Sequence, residues 1–178
     1  MAWTSTKFNS RKVFISSDVV QHIQDYLCLN YQVLAEKWPT NLTTEVTEVD
    51  GVSVGRAIYT SFHHQHCNSF IILELQQNQY FAARIQQIFY HAHQHPHDPH
   101  LSVSEIYTSV DLLNPLDTDV LPDWYRQFKM GWLCCDPSNP STPTPVQVTV
   151  PLKLLKAQAG DLLYEVIVNE LIWEKQIH

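Results

Sequence analysis

Two stretches of the chain gather side chains able to ligate a metal. FHHQHCNSF (62–70) holds His63, His64, His66 and Cys67, and HAHQHPHDPH (91–100) holds five more histidines. On an extended strand, residues i and i+2 share a face. His64 and His66 would then point one way, as would His91, His93 and His95. Neighbouring strands carrying such pairs would offer imidazoles to one zinc ion, with three protein ligands and an open position. That arrangement activates a bound water, the chemistry of a zinc-dependent hydrolase or lyase. Against it, both runs fall at predicted strand ends. If the strands form a hairpin joined at 76–79, topology alone brings the runs to one end. Only Asp98 is near in sequence to orient an imidazole. Neither H-E-x-x-H nor H-x-E with P-C-x-x-C occurs. A site of His64, His66, His91 and His93 is therefore the runner-up, zinc is a minority cofactor, and no cofactor is favoured.

Other catalytic patterns are missing. The chain has no G-x-S-x-G and no phosphate-binding glycine loop, and its four glycines argue against a nucleotide fold. Asp117, Asp119 and Asp123 lack the glycine and terminal glutamate of a calcium loop. No residue is assigned a catalytic role. Trp124, Tyr125 and Trp132 are close enough in sequence to form a small aromatic cage for a peptide cation, a weaker expectation than their closing one end of a barrel.

The 178 residues include 44% AVILMFWYC and 11% aromatics, which favours a folded chain over disorder. The net charge of −7, with basic residues scattered, offers no footprint for direct nucleic-acid binding. Cys28, Cys67, Cys134 and Cys135 form no C-x-x-C pair, and the N-terminus has no signal-like apolar region. Both features point to a reducing, intracellular setting. No apolar run is long enough to span a membrane.

The elements that must position these residues are mostly strands. Residues 1–43 read as a lead-in, with an edge strand at 11–15, followed by one amphipathic helix. Ser16-Ser17-Asp18 offers the helix cap, and Val20, Ile23, Leu27, Tyr31 and Leu34 recur at helical spacing until Pro39. Residues 44–178 read as a single β domain. Val46, Val49 and Val52 flank Asp50-Gly51, which predicts a hairpin turn there. A second hairpin joins 69–75 to 80–93, and further strands are predicted at 104–113, 130–135, 146–155 and 162–173. Proline-rich connections, HPHDPH among them, separate these segments. The fold class predicted is mainly β, a small distorted β-barrel with one N-terminal amphipathic helix packed across it.

One order of features carries a resemblance. A Ser69-Phe70 strand start is followed by YFAARIQQIF (80–89), Asn114-Pro115-Leu116, DWYRQF (123–128), Gly131-Trp132-Leu133 and VPLKLL (150–155). Over roughly residues 60–173 this resembles the C-terminal β domain of uncharacterised, transposon-derived proteins abundant in mushroom-forming fungi. It is also similar to bromo-adjacent homology barrels. Trp124 departs from the family's proline, HPHDPH is unlike its loop, and no upstream transposase region is present. The resemblance implies a small barrel without catalytic machinery and with a peptide-binding role. In the shared segments Arg84 and Arg126 would be structural, paired with Asp123 or a loop carbonyl.

The function expected is a non-enzymatic interaction module of transposon-derived ancestry, binding protein or chromatin, intracellular with the nucleus as one compartment that fits. Two rivals stand beside it: the zinc-dependent enzyme, and a self-association module that pairs exposed strand edges. The partner's identity and the oligomeric state are left open.

Overall fold

The computed structural model describes residues 8–38, 42–55, 57–76, 79–115, 132–133 and 146–158. Strand β1 (Ser10–Phe14) leads into helix α1 (Ser17–Tyr31). Ser16 caps the helix as its sequence suggests, its Oγ accepting from the Val19 N–H at 3.4 Å. The helix stops well short of Pro39. Gln32 adopts the left-handed conformation at φ 55°, and the N–H groups of Gln32 and Val33 return to the carbonyls of Leu29 and Cys28. A 3-10 turn at Ala35–Lys37 follows. Leu34, counted in the helical stripe, is therefore left 64% exposed, while Val19, Ile23 and Leu27 are buried.

Asp50-Gly51 is not a hairpin turn. β2 (Glu45–Val49) pairs with β1, whereas β3 (Gly51–Val54) pairs with β4 (Ala57–Thr60) in a separate two-stranded sheet. The chain leaves one sheet for the other at Asp50. Gly51 is needed for space, since a Cβ there would meet Phe8 and the Tyr59 carbonyl oxygen at 2.8 Å. The turn of this small hairpin begins instead at Gly55, at φ +62°.

The second hairpin forms as its sequence predicts. β5 (Phe70–Gln76) pairs with the first part of β6 (Gln79–His95), with Ile72 opposite Ala82. The middle of β6 pairs on the same edge with β2, with Glu48 opposite Phe89. Its other edge carries β7 (Asp98–Leu112), from Ala83 opposite Leu112 to His95 opposite Asp98. HPHDPH is therefore no open connection: Pro96 and His97 make the turn, and Asp98–His100 already belong to β7. The short strands β8 (Asn114–Pro115) and β9 (Trp132–Leu133) pair with each other. β10 (Val146–Pro151) pairs with β7. A 3-10 turn at Leu152–Leu154 then carries the chain to β11 (Leu155–Gln158), which pairs with β5.

That last crossover gives the fold its barrel-like character. In the order β10-β7-β6-β5-β11, the two outer strands are consecutive pieces of one segment bent at a 3-10 turn. The sheet must curl for one segment to reach both edges. Among the described residues no ladder joins β10 to β11, so the sheet is drawn round by the chain itself rather than closed by hydrogen bonds. The expectation of a mainly β fold with one N-terminal helix holds.

A bulge in β6 decides which side chains face which layer. The register with β7 shifts between Ile85 and Gln87, so Gln86 is the extra residue. Ile85 and Ile88, three apart, therefore share the inner cluster with Ile71, Leu73, Val110 and Val150. Phe89 turns to the other face and packs with Ile23, Leu27, Val46 and Tyr107 beneath α1. Burying each such aliphatic side chain is worth about 1.5–3 kcal/mol, enough to dock the helix firmly. At the bulge, Asp111 Oδ2 accepts from Arg84 Nη2 at 2.9 Å and also from Gln86 Nε2. The Arg84 guanidinium lies 4.6 Å from the Phe62 ring centre. Arg84 is structural, but the partner in place is Asp111; Asp123 and Arg126 lie outside the described residues.

Candidate functional site

The two histidine runs do not meet. FHHQHC is a turn followed by a 3-10 turn at His66–Asn68 rather than a strand, so the i, i+2 rule does not apply to His64 and His66. The Phe62 N–H donates to the Ile85 carbonyl at 2.8 Å, which fixes this turn beside the β6 bulge. From Ile85 to His91 the strand advances roughly 20 Å at about 3.3 Å per residue. β6 runs on past the last β5 pair, Phe70 with Arg84, and this extension separates the runs. His64 Nδ1 lies 3.8 Å from Asp50, and the His66 ring stacks on Phe62 at 4.1 Å. No group of three or more His, Cys, Asp or Glu among the described residues is placed to hold a metal ion.

His91 and His93 are interior residues. Alternation after the bulge puts them on the Phe89 face, and they are 0% and 5% exposed. His91 Nε2 donates to the Thr43 carbonyl at 3.2 Å, which places the neutral ring's proton on that nitrogen. Burial pushes the His91 ring below its ordinary pKa, partly opposed by the Thr43 hydrogen bond. His93 is pushed the same way, first by burial; Glu105 opposes the shift, and His91, His95 and Lys153 add to it. Tyr31 and Trp38 cover His93, each with its ring centre 6.1 Å from that ring, and His91 meets Tyr107 edge-on at 6.0 Å. His95 meets Tyr31 edge-on at 4.9 Å.

A cleft of about 370 Å³ opens on the neighbouring strand, lined by Tyr90, Val103, Ser104, Glu105, Ile106, Pro151 and Lys153. Its origin is in the backbone. β10 ends with Pro151 opposite Tyr107, proline has no N–H to continue a ladder, and the 3-10 turn then carries the chain away. β7 continues toward its start with one edge on β6 and, among the described residues, nothing paired with the other. The direction of its backbone groups follows from Leu113, whose N–H donates to the Ala82 carbonyl of β6 at 2.9 Å. Counting back by twos, odd-numbered residues face β6, and Ser102, Ser104 and Ile106 turn N–H and C=O outward.

Side chains at the rim are fixed in place. Glu105 accepts from Lys153 Nζ at one oxygen and from the Tyr107 hydroxyl at the other, both at 2.9 Å. Burial first, then the Glu105 charge, pushes the Tyr107 hydroxyl far above its ordinary pKa, so it stays a neutral donor. Lys153 also lies 5.2 Å from the centre of the Tyr26 ring. The cleft thus has an apolar floor, an extended run of open backbone groups and one neutralised ion pair.

No family model, no curated protein and no solved structure matches the chain. Of the aromatic residues expected at a peptide site, Trp124 and Tyr125 lie outside the described residues, and Trp132 is described only as part of β9. The β7 edge went unread in the sequence. Its signal was Pro151, a proline inside a strand pattern that marks where pairing stops. No helix among the described residues is long and apolar enough to cross a membrane.

Proposed function

We propose that this protein is a non-enzymatic interaction module that takes an extended peptide as an added strand along Ser102–Ile106 of β7. The observation that carries the reading is the 370 Å³ cleft lying against a strand edge left unpaired among the described residues. Strand addition draws affinity from main-chain hydrogen bonds and specificity from a pocket for alternate side chains. The cleft holds side chains rather than a folded domain, and its Tyr90, Ile106 and Pro151 surfaces suit one bulky apolar residue. The net charge of −7 favours a neutral or basic peptide over an acidic one.

A second copy of the chain is a less suitable occupant. The register shift between Gln94 and His95, with Pro99 nearby in β7, breaks the flat edge that mutual pairing needs. The zinc enzyme loses its geometric basis with the histidine runs separated. An intracellular setting, nuclear if the partner is a chromatin peptide, would suit the module.

The test is selection from a displayed library of random peptides, followed by calorimetry of the enriched sequences. Ser104→Pro removes one outward N–H and leaves the β6 ladder intact, so it should abolish binding while thermal stability changes little. A library that yields no binder, or binders indifferent to Ser104→Pro, would reject the reading.

A further inference from the structure

The buried imidazoles suggest a device independent of the peptide edge. His91 and His93 sit in a strand interior where neither His93 nitrogen has a hydrogen-bond partner among the described residues, and His91 Nδ1 has none either. What covers His93 is one short stretch, while His91 lies behind it against Tyr107 and the Thr43 carbonyl. The left-handed turn at Gln32 breaks α1 immediately after Tyr31, and the 3-10 turn at Ala35–Lys37 brings Trp38 back onto the His93 ring. Trp38 is 9% exposed there, and its own ring N–H is unpartnered among the described residues. A protonated imidazole in this place would be a buried cation without an acceptor.

We propose that Tyr31 and Trp38 form a clasp that closes over His93, with His91 stacked behind it, only while both rings are neutral, so that mild acidification opens it. Of the charged and titratable groups facing the pair among the described residues, Glu105 alone offers an opposite charge, and it offsets burial only in part. Glu105 on β7 stands opposite His91, but its carboxylate is already held by Lys153 and the Tyr107 hydroxyl. His95 on β6 adds a like charge when protonated, and Tyr31 on α1 and Tyr107 on β7 remain neutral. Among the described residues the acceptor at hand, the Thr43 carbonyl, already serves His91 Nε2. Protonation is therefore relieved by exposing the rings, and the stretch from Tyr31 to Trp38 is what must move.

With the folded-state pKa below the ordinary value of 6.5, the unfolded or opened state binds more protons. The clasp's stability is complete above about pH 6.5 and is lost as pH falls through the depressed folded values. The unfolding constant can then rise by up to about tenfold per pH unit for each histidine, roughly a hundredfold for both.

The experiment compares wild type with His93→Leu and with the double variant His91→Gln/His93→Leu, by denaturant unfolding between roughly pH 7 and pH 5. Wild type should lose stability steeply across this window, the single variant less so, and the double variant least. Amide exchange at residues 31–38 should accelerate in wild type before that of β6. Equal slopes in wild type and double variant would overturn the proposal. If a variant fails to fold, imidazole and indole NMR on wild type decides. His91, His93 and Trp38 must shift together over one pH range, and histidine titration with an unmoved Trp38 signal would be equally fatal.

Discussion

His91 and Glu105 face each other across the β6–β7 ladder, yet each is engaged elsewhere: His91 with the Thr43 carbonyl, Glu105 with Tyr107 and Lys153. This one cross-strand position joins the interior beneath α1 to the rim of the cleft. Glu105 is the hinge of that connection, because one carboxylate satisfies a fully buried hydroxyl and an outer lysine at once.

Glu105→Ala should therefore cost more than a rim charge usually does. The half-exposed ion pair with Lys153 contributes little. The buried Tyr107 hydroxyl, left without an acceptor, costs about 1–3 kcal/mol. Adding Tyr107→Phe to Glu105→Ala should recover much of the loss, which a double-mutant cycle by urea unfolding will measure.

The ion pair at the bulge makes a parallel case. Asp111→Ala leaves the buried Arg84 cation with no carboxylate and should destabilise by about 3–5 kcal/mol. Arg84→Met combined with Asp111→Leu should be far milder than either deletion alone. Denaturant midpoints of the set of variants test this.

Helix docking should depend on face, not on hydrophobicity. Ile23→Ala, at a site 0% exposed, should cost about 2–5 kcal/mol. Leu29→Ala, on the same helix but 80% exposed, should stay within about 0.5 kcal/mol of wild type. Comparable losses at the two sites would mean that α1 is not docked as described.

Two backbone positions predict opposite signs. Gln32 occupies a conformation that glycine adopts freely, so Gln32→Gly should raise stability by roughly 0.5–1 kcal/mol. Gly51→Ala must push a Cβ against the Tyr59 carbonyl and should lose about 1–3 kcal/mol. Thermal melts of both variants suffice.

Those same positions mark how far the sequence could be read. The Ser16 cap, Ile23 and Leu27 of the helical stripe and the β5–β6 hairpin announce themselves through local chemistry and periodicity, whereas the stripe began at Val20 and the buried residue there is Val19. Asp50-Gly51 misleads because that dipeptide favours tight turns, whereas here the glycine answers to a contact with Phe8 and Tyr59, distant in sequence. The bulge at Gln86 leaves no trace in a run of two glutamines, yet it sets the face of every later residue on β6. His91 and His93 were legible as an alternating pair, whereas His64 and His66 lie on turns. The burial of His93 was not legible, since it depends on a left-handed turn at a glutamine bringing Trp38 back over it. The β7 edge left unpaired among the described residues is a relation between two strands of unequal length, visible only once both are placed.

Strand addition to β7 depends most directly on the outward backbone groups of Ser102, Ser104 and Ile106. Residue-resolved amide exchange, with and without a selected peptide, measures them. Slowed exchange at these three amides, with the outer edge of β1 unaffected, is the predicted result. No added protection there, or protection centred on another edge, would contradict it.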